Sequence, residues 1–201
     1  MSSDKWEPYT IMETMSGMQS VSLRAKQLSQ GIIRISGEID EEMADSVISQ
    51  IKYLMDAKQE VYLFINTTGG AWSAGLMIVD MMRMYKEHIH TICTSRACSV
   101  GAVILSTAAK GKRYIFEHAN VIINEPNMSV TVSGNEDTIR GFSQALRFAK
   151  KSLYELLSEN TDQSVEELKK LLPENGFLKA VDAIDLGLCD SVVEDLDFIK
   201  N

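Results

Sequence analysis

The chain has 201 residues, 45% of them hydrophobic and 24% charged, with a formal net charge of −8. That length and apolar content supply one sizeable core without requiring a second domain, and the acidic balance argues against nucleic acid or an anionic membrane as an obligate partner. Cys93, Cys98 and Cys189 are odd in number and lack metal-like spacing, so reduced thiols in a cytoplasmic compartment are expected, with no metal and no cofactor.

Met1 to Gln30 is weakly patterned. Its polar, acidic start lacks the basic flank and apolar run of a secretory leader, and the segment reads as a mobile terminus in the monomer. Gly31 to Ile35 is strand-like. Asp40 then suits an N-cap for a helix whose apolar positions Met43, Val47, Ile48, Ile51, Leu54 and Met55 fall at helical spacing. The next strand is Glu60 to Ile65. After Asn66-Thr67-Thr68 comes a Gly69-Gly70 turn, where two glycines allow a close backbone approach, and then a helix from Ser73 through Met84. Its methionines read as core filler rather than ligands.

Ile89 to Cys93 opens another apolar strand, which passes through small residues and becomes an apolar helix from about Val100. Ser99 sits at that junction. A strand-to-helix turn presents its hydroxyl beside the unsatisfied N–H groups of the helix, an arrangement that suits a serine nucleophile. The same position equally suits a helix-capping serine. Strands follow at Arg113 to Phe116 and Asn120 to Asn124, and Pro126 to Asn135 reads as a polar loop or strand. A long helix spans about Asp137 to Glu159, a further helix Asp162 to Leu172, and a short one Lys179 to Leu186, stopped by Gly187. Cys189 to Val193 reads as a strand closing a sheet edge. Repeated strand–helix–strand units with continuously apolar strands predict an α/β fold with a largely parallel sheet. No membrane span is expected, since no apolar run is long enough.

The ordered set Ile65-Asn66-Thr67-Thr68-Gly69-Gly70, Ala74-Gly75, Cys98-Ser99-Val100-Gly101-Ala102 and Lys110-Gly111-Lys112-Arg113-Tyr114 resembles the proteolytic subunit of the ATP-dependent Clp protease. That family normally shows Asn-Ser-Pro-Gly-Gly, Ala-Ser-Met-Gly-Ala and Gly-Lys-Arg at these places. The resemblance runs from about Gly31 to Val193. It implies a ClpP/crotonase-like fold of β-β-α and βαβ units, with residues 31–201 as one domain. Residues 136–160 would form a helix projecting from the head of the subunit to interlock two stacked heptameric rings. Residues 1–30 would take the place of an axial-pore loop and a docking helix, although they match poorly.

By the same resemblance Ser99 stands at the nucleophile position, and Gly70 and Val100 are the two residues whose N–H groups would form an oxyanion hole. The base position, in a strand that the family writes Val-Met-Ile-His-Gln-Pro, falls in Val121-Ile122-Ile123-Asn124-Glu125-Pro126 and is Asn124. The orienting aspartate position is Asn175, ahead of Gly176-Phe177-Leu178-Lys179. An amide has no useful proton affinity near neutral pH, so Asn124 cannot act as general base. His118, on a continuous strand, would lie about 20 Å from Asn124, and His88 and His90 read as surface residues at the far end of their strand. Ser129, Val130, Thr131, Val132 and Ser133 stand where the family binds extended peptide, but the family's glycines and glutamines are largely absent there. Cys98 reads as a buried hydrophobe rather than a replacement nucleophile.

Three functions follow from the residues and the resemblance. The first is a Clp-type ring subunit that hydrolyses little or nothing, in a homo- or hetero-oligomer with an active paralogue, served by an AAA+ ATPase unfoldase that delivers unfolded polypeptide. The second is a working serine endopeptidase whose base comes from His118 or a neighbouring subunit. The third is a crotonase-like acyl-CoA enzyme, for which no pair of catalytic acids is evident.

Overall fold

The computed structural model describes residues 8–14, 17–124, 135–172 and 176–199. Strands β1 (Tyr9–Thr14) and β2 (Gly17–Ser22) pair as an antiparallel hairpin, and helix α1 (Leu23–Ser29) follows, capped by the Ser22 hydroxyl on Ala25 N–H at 3.1 Å. This hairpin departs from the expectation of an unstructured terminus. Its ladder supplies order that hydrophobic periodicity does not advertise, because both strands are largely exposed.

The body begins with β3 (Ile32–Ile39), α2 (Glu41–Asp56), β4 (Val61–Gly70), α3 (Trp72–Met84), β5 (Ile89–Cys98) and α4 (Val100–Thr107). Asp40 caps α2 through Met43 N–H at 2.8 Å, with Glu41 and Glu42 in the first turn where the helix dipole favours them. Ala44, Val47, Ile51 and Leu54 form its buried stripe. Strands β6 (Arg113–Ile115) and β7 (Asn120–Ile122) lead to the long α5 (Glu136–Thr161). The chain then runs through α6 (Val165–Leu171), β8 (Phe177–Lys179), α7 (Ala180–Asp185) and β9 (Ser191–Val192).

The main sheet runs β3-β4-β5-β6-β9, all parallel, with β9 on the edge. Strand β5 divides its partners. Thr91–Cys93 pairs with β6, whereas Arg96–Cys98 pairs with β7, and β8 joins β7 antiparallel. The end of β5, which leads into Ser99, therefore lies between β4 and β7. Leu63 and Ile65 of β4 face the main core under the helices, while Tyr62 and Phe64 join a second, smaller cluster. Helix α4 is buried at every residue from Val100 to Thr107.

Both central strands are longer than their apolar runs suggest. The glycine pair Gly69-Gly70 lies within β4, paired with Glu38 and Ile39, rather than in a turn beyond it. Gly70 is held at φ 153°, and a Cβ there would meet Ile39 O at 2.2 Å. Only glycine fits so close to the neighbouring backbone. Among the described residues, no helix is long and apolar enough to cross a membrane.

Candidate active site

Ser99 has φ 51° and ψ −119°, a conformation in which an L side chain is strained, and it immediately precedes α4. Such strain persists only where the surroundings impose it. Here they do so from both sides: Ser99 N–H donates to Ile122 O at 2.8 Å, and Ser99 O accepts from Ala102 N–H at 2.9 Å. The Ser99 side chain makes no capping hydrogen bond to the helix. That removes the capping explanation and leaves a half-buried hydroxyl on a strained strand-to-helix elbow, the backbone form in which a serine nucleophile is displayed.

The end of β4 lies directly against this elbow. A Cβ on Gly69 would sit 3.1 Å from Ser99 Cβ and 3.0 Å from Cys98 O. Ala71 N–H donates to Ile39 O at 2.8 Å, which ties the end of β4 to β3 just beyond the glycine pair. Val100 is the first residue of α4, and its N–H is one of the donors a helix N-terminus leaves unpaired. The Ser99 hydroxyl thus stands at the N-terminal, positive end of the buried helix α4, with the glycine end of β4 beside it.

Thr67, which motif reading passed over, supports both parts. Its Oγ1 donates to Gly37 O at 2.6 Å and accepts from Gly69 N–H at 3.0 Å. Its methyl group fills the space where a Cβ on Gly101 would lie, at 2.4 Å. A buried threonine within an apolar strand is the sequence signal for this support. Gly75 similarly lets α3 close on Val100, since a Cβ there would meet Val100 Cγ2 at 2.1 Å.

A family model described as Clp protease matches residues 15–195. The chain belongs to the Clp protease family. It is 33% identical over 190 residues to the ATP-dependent Clp protease proteolytic subunit of Streptococcus sanguinis (strain SK36), a match covering 93% of this chain and 96% of that one. Against the protein of the same name from Streptococcus uberis (strain ATCC BAA-854 / 0140J) the identity is 32%, with the same coverage.

Within this Clp-family chain, the Lys110–Tyr114 motif is a structural clasp. Lys110 pairs with Asp162, Lys112 reaches Glu60 at 3.3 Å, and Gly111 N–H donates to Asp190 Oδ2 at 2.7 Å. Arg113, 3% exposed, pairs with Asp190 and donates to Asn160 O and Gly187 O, each at 2.9 Å.

Asn124 is exposed and lies two residues beyond Ile122, whose carbonyl receives Ser99 N–H. Gly176 O accepts from Ile123 N–H at 2.8 Å, which brings the residue after Asn175 against the residue before Asn124. Asn175 itself and Ser129–Ser133 lie outside the described residues.

All three histidines lie away from Ser99. His118 lines a cavity of about 510 Å³ with Thr94 and Ser95 and lies two residues before Asn120, which pairs with Arg96, so it is set back along β5 from Ser99. His88 and His90 share the Glu60 carboxylate at 3.0 and 3.3 Å, at the opposite end of β5. His90 is not a surface residue as the sequence suggested: its side chain is 12% exposed and packs among aromatic rings. Burial raises the Cys98 thiol above its ordinary range, against an opposing effect of Arg96, so it stays protonated.

Proposed function

We propose that the chain is a subunit of a Clp-type proteolytic ring whose own Ser99 hydrolyses peptide bonds little or not at all. The observation that supports this reading is the strained Ser99 elbow at the head of α4, with every imidazole of the chain held elsewhere. In this reading Ser99 is the nucleophile position, Gly70 and Val100 supply the oxyanion donors, and Asn124 and Asn175 occupy the base and orienting positions. Neither amide takes a proton from the hydroxyl, so acyl transfer retains only the contribution of the oxyanion donors and of binding.

The assembly assigned to it follows the family resemblance. Residues 31–201 form the ring-building domain, and residues 1–30 face the axial entrance. Residues 136–160 interlock stacked heptameric rings, and Ser129–Ser133 run along the extended polypeptide. An AAA+ unfoldase delivers that polypeptide in the cytoplasm, and active paralogous subunits in a mixed ring supply the cleavage. A second reading, an endopeptidase with a base from an adjoining subunit, is favoured by the names of the two streptococcal relatives.

Incubation with a fluorogenic peptide and with a serine-reactive phosphonate distinguishes the two. The inert reading expects turnover equal to that of Ser99→Ala and no label on Ser99. Labelled Ser99, together with turnover that Ser99→Ala abolishes, establishes the endopeptidase instead.

A further inference from the structure

The sheet face opposite the helices carries Tyr62, Phe64, His90, Ile92, Tyr114 and Phe116. The part of it around Tyr62, Phe64 and Ile92 is covered by the chain's last described stretch, Val193 with Phe198 and Ile199. At its start the cover is tied to the sheet by Val193 N–H on Ile115 O at 2.9 Å, and near its end it is anchored through Phe198. The Phe198 ring stacks on Tyr114 with centroids 4.7 Å apart and on His90 at 6.1 Å, and Phe198 O accepts from Tyr62 Oη at 2.9 Å. A tight turn shapes the stretch, with Ile199 N–H donating to Leu196 O at 3.0 Å.

His90 lies beneath this anchor. Tyr62 flanks it at 4.9 Å and Tyr114 at 6.1 Å, and Nε2 meets Glu60 at 3.3 Å. Its other nitrogen, Nδ1, is buried with no hydrogen-bond partner among the described residues. A neutral ring tolerates this when Nδ1 carries the lone pair. A protonated ring places an N–H there with no acceptor, which is costly to bury.

We propose that the C-terminal stretch is a pH-gated strap, seated on the aromatic face through Phe198 while His90 is neutral and released when His90 takes a second proton. Among the described residues, the charged and titratable groups facing His90 are Glu60 just before β4, Lys112 before β6, and the phenols of Tyr62 and Tyr114. His88 reaches His90 only through the shared Glu60. Burial first, and then Lys112, depress proton binding by His90, whereas Glu60 favours it. A histidine depressed in the closed state stabilises closure above its ordinary value, 6.5, and that contribution disappears as pH falls below it. Release bares an apolar sheet face, and it requires no change at Ser99.

Hydrogen–deuterium exchange of the full chain at about pH 8 and about pH 5.5, corrected for intrinsic rates, reads the Ile199 amide on either side of the histidine range. The expected result is protection at the higher pH and its loss at the lower, with the Ser99 amide protected at both. His90→Phe keeps a ring in the stack without a titrating nitrogen and should stay protected at both. Glu60→Gln removes the group that favours the proton in the closed state, widens the gap to the ordinary value and should move the transition to higher pH. Phe198→Ala should lose Ile199 protection at both. Equal wild-type protection at the two pH values overturns the strap. So does a His90→Phe or Glu60→Gln variant that opens as the wild type does, or a Phe198→Ala variant still protected at the higher pH.

Discussion

Ser99 combines a conformation that its side chain disfavours with a hydroxyl that makes no local capping bond. Removing the side chain therefore has a predictable sign. Ser99→Gly relieves backbone strain of about 1–3 kcal/mol, and the greater freedom of glycine in the unfolded chain offsets roughly 1 kcal/mol of that. Ser99→Ala keeps the strain. Urea denaturation should show Ser99→Gly more stable than Ser99→Ala by about 1 kcal/mol. Equal stabilities would mean that the elbow is relaxed. None of this strain is legible in the sequence, because serine gives no warning of positive φ in the way that the Gly69-Gly70 pair does. The sequence could only leave Ser99 divided between cap and nucleophile.

At the scale of elements, the clasp between β6 and the loop before β9 holds the far side of the sheet in register. Arg113 is nearly fully buried and satisfied by Asp190 and two carbonyls, so Arg113→Met leaves those acceptors and the Asp190 carboxylate without their partner. The expected loss is about 3 kcal/mol, read by urea denaturation at neutral pH. Arg113 and backbone N–H groups hold the Asp190 carboxyl below its ordinary 3.8, against the opposing effect of burial. That contribution is complete above the ordinary value and disappears as pH falls below it, so the wild-type advantage over Arg113→Met should shrink on acidification through about pH 4.

The helices and strands from Gly31 to Leu172 were readable because each has one or two buried faces, and burial imposes a period of 3.6 or 2. Three kinds of element escaped that reading. The β1–β2 hairpin and α1 bury no residue, β8 is only three residues long, and the ends of β4 and β5 are polar or glycine-rich. Their order comes from backbone pairing, which leaves little trace in side-chain pattern. His90 was misplaced for a related reason: its burial depends on Phe198, more than a hundred residues downstream.

At the scale of the whole molecule, the single chain leaves work for an assembly. Helix α5 has 26 residues, about 39 Å at 1.5 Å per residue, yet its buried positions begin only at Ala149. Its first half exposes Ile139 at 55%, and Phe148 just before the buried stretch is 66% exposed, apolar surface that the proposed inter-ring role would cover. The ring chemistry proposed for such an assembly rests on one contrast, a strained serine elbow with no imidazole beside it among the described residues. The most direct test is the ratio of kcat/KM for a fluorogenic peptide between Asn124→His combined with Asn175→Asp and the unaltered chain. We predict a gain of at least about a hundredfold, abolished by adding Ser99→Ala, since triad members act as a unit and their loss removes several orders of magnitude. An unaltered chain that already turns over as fast as the altered one, through Ser99, would contradict the account.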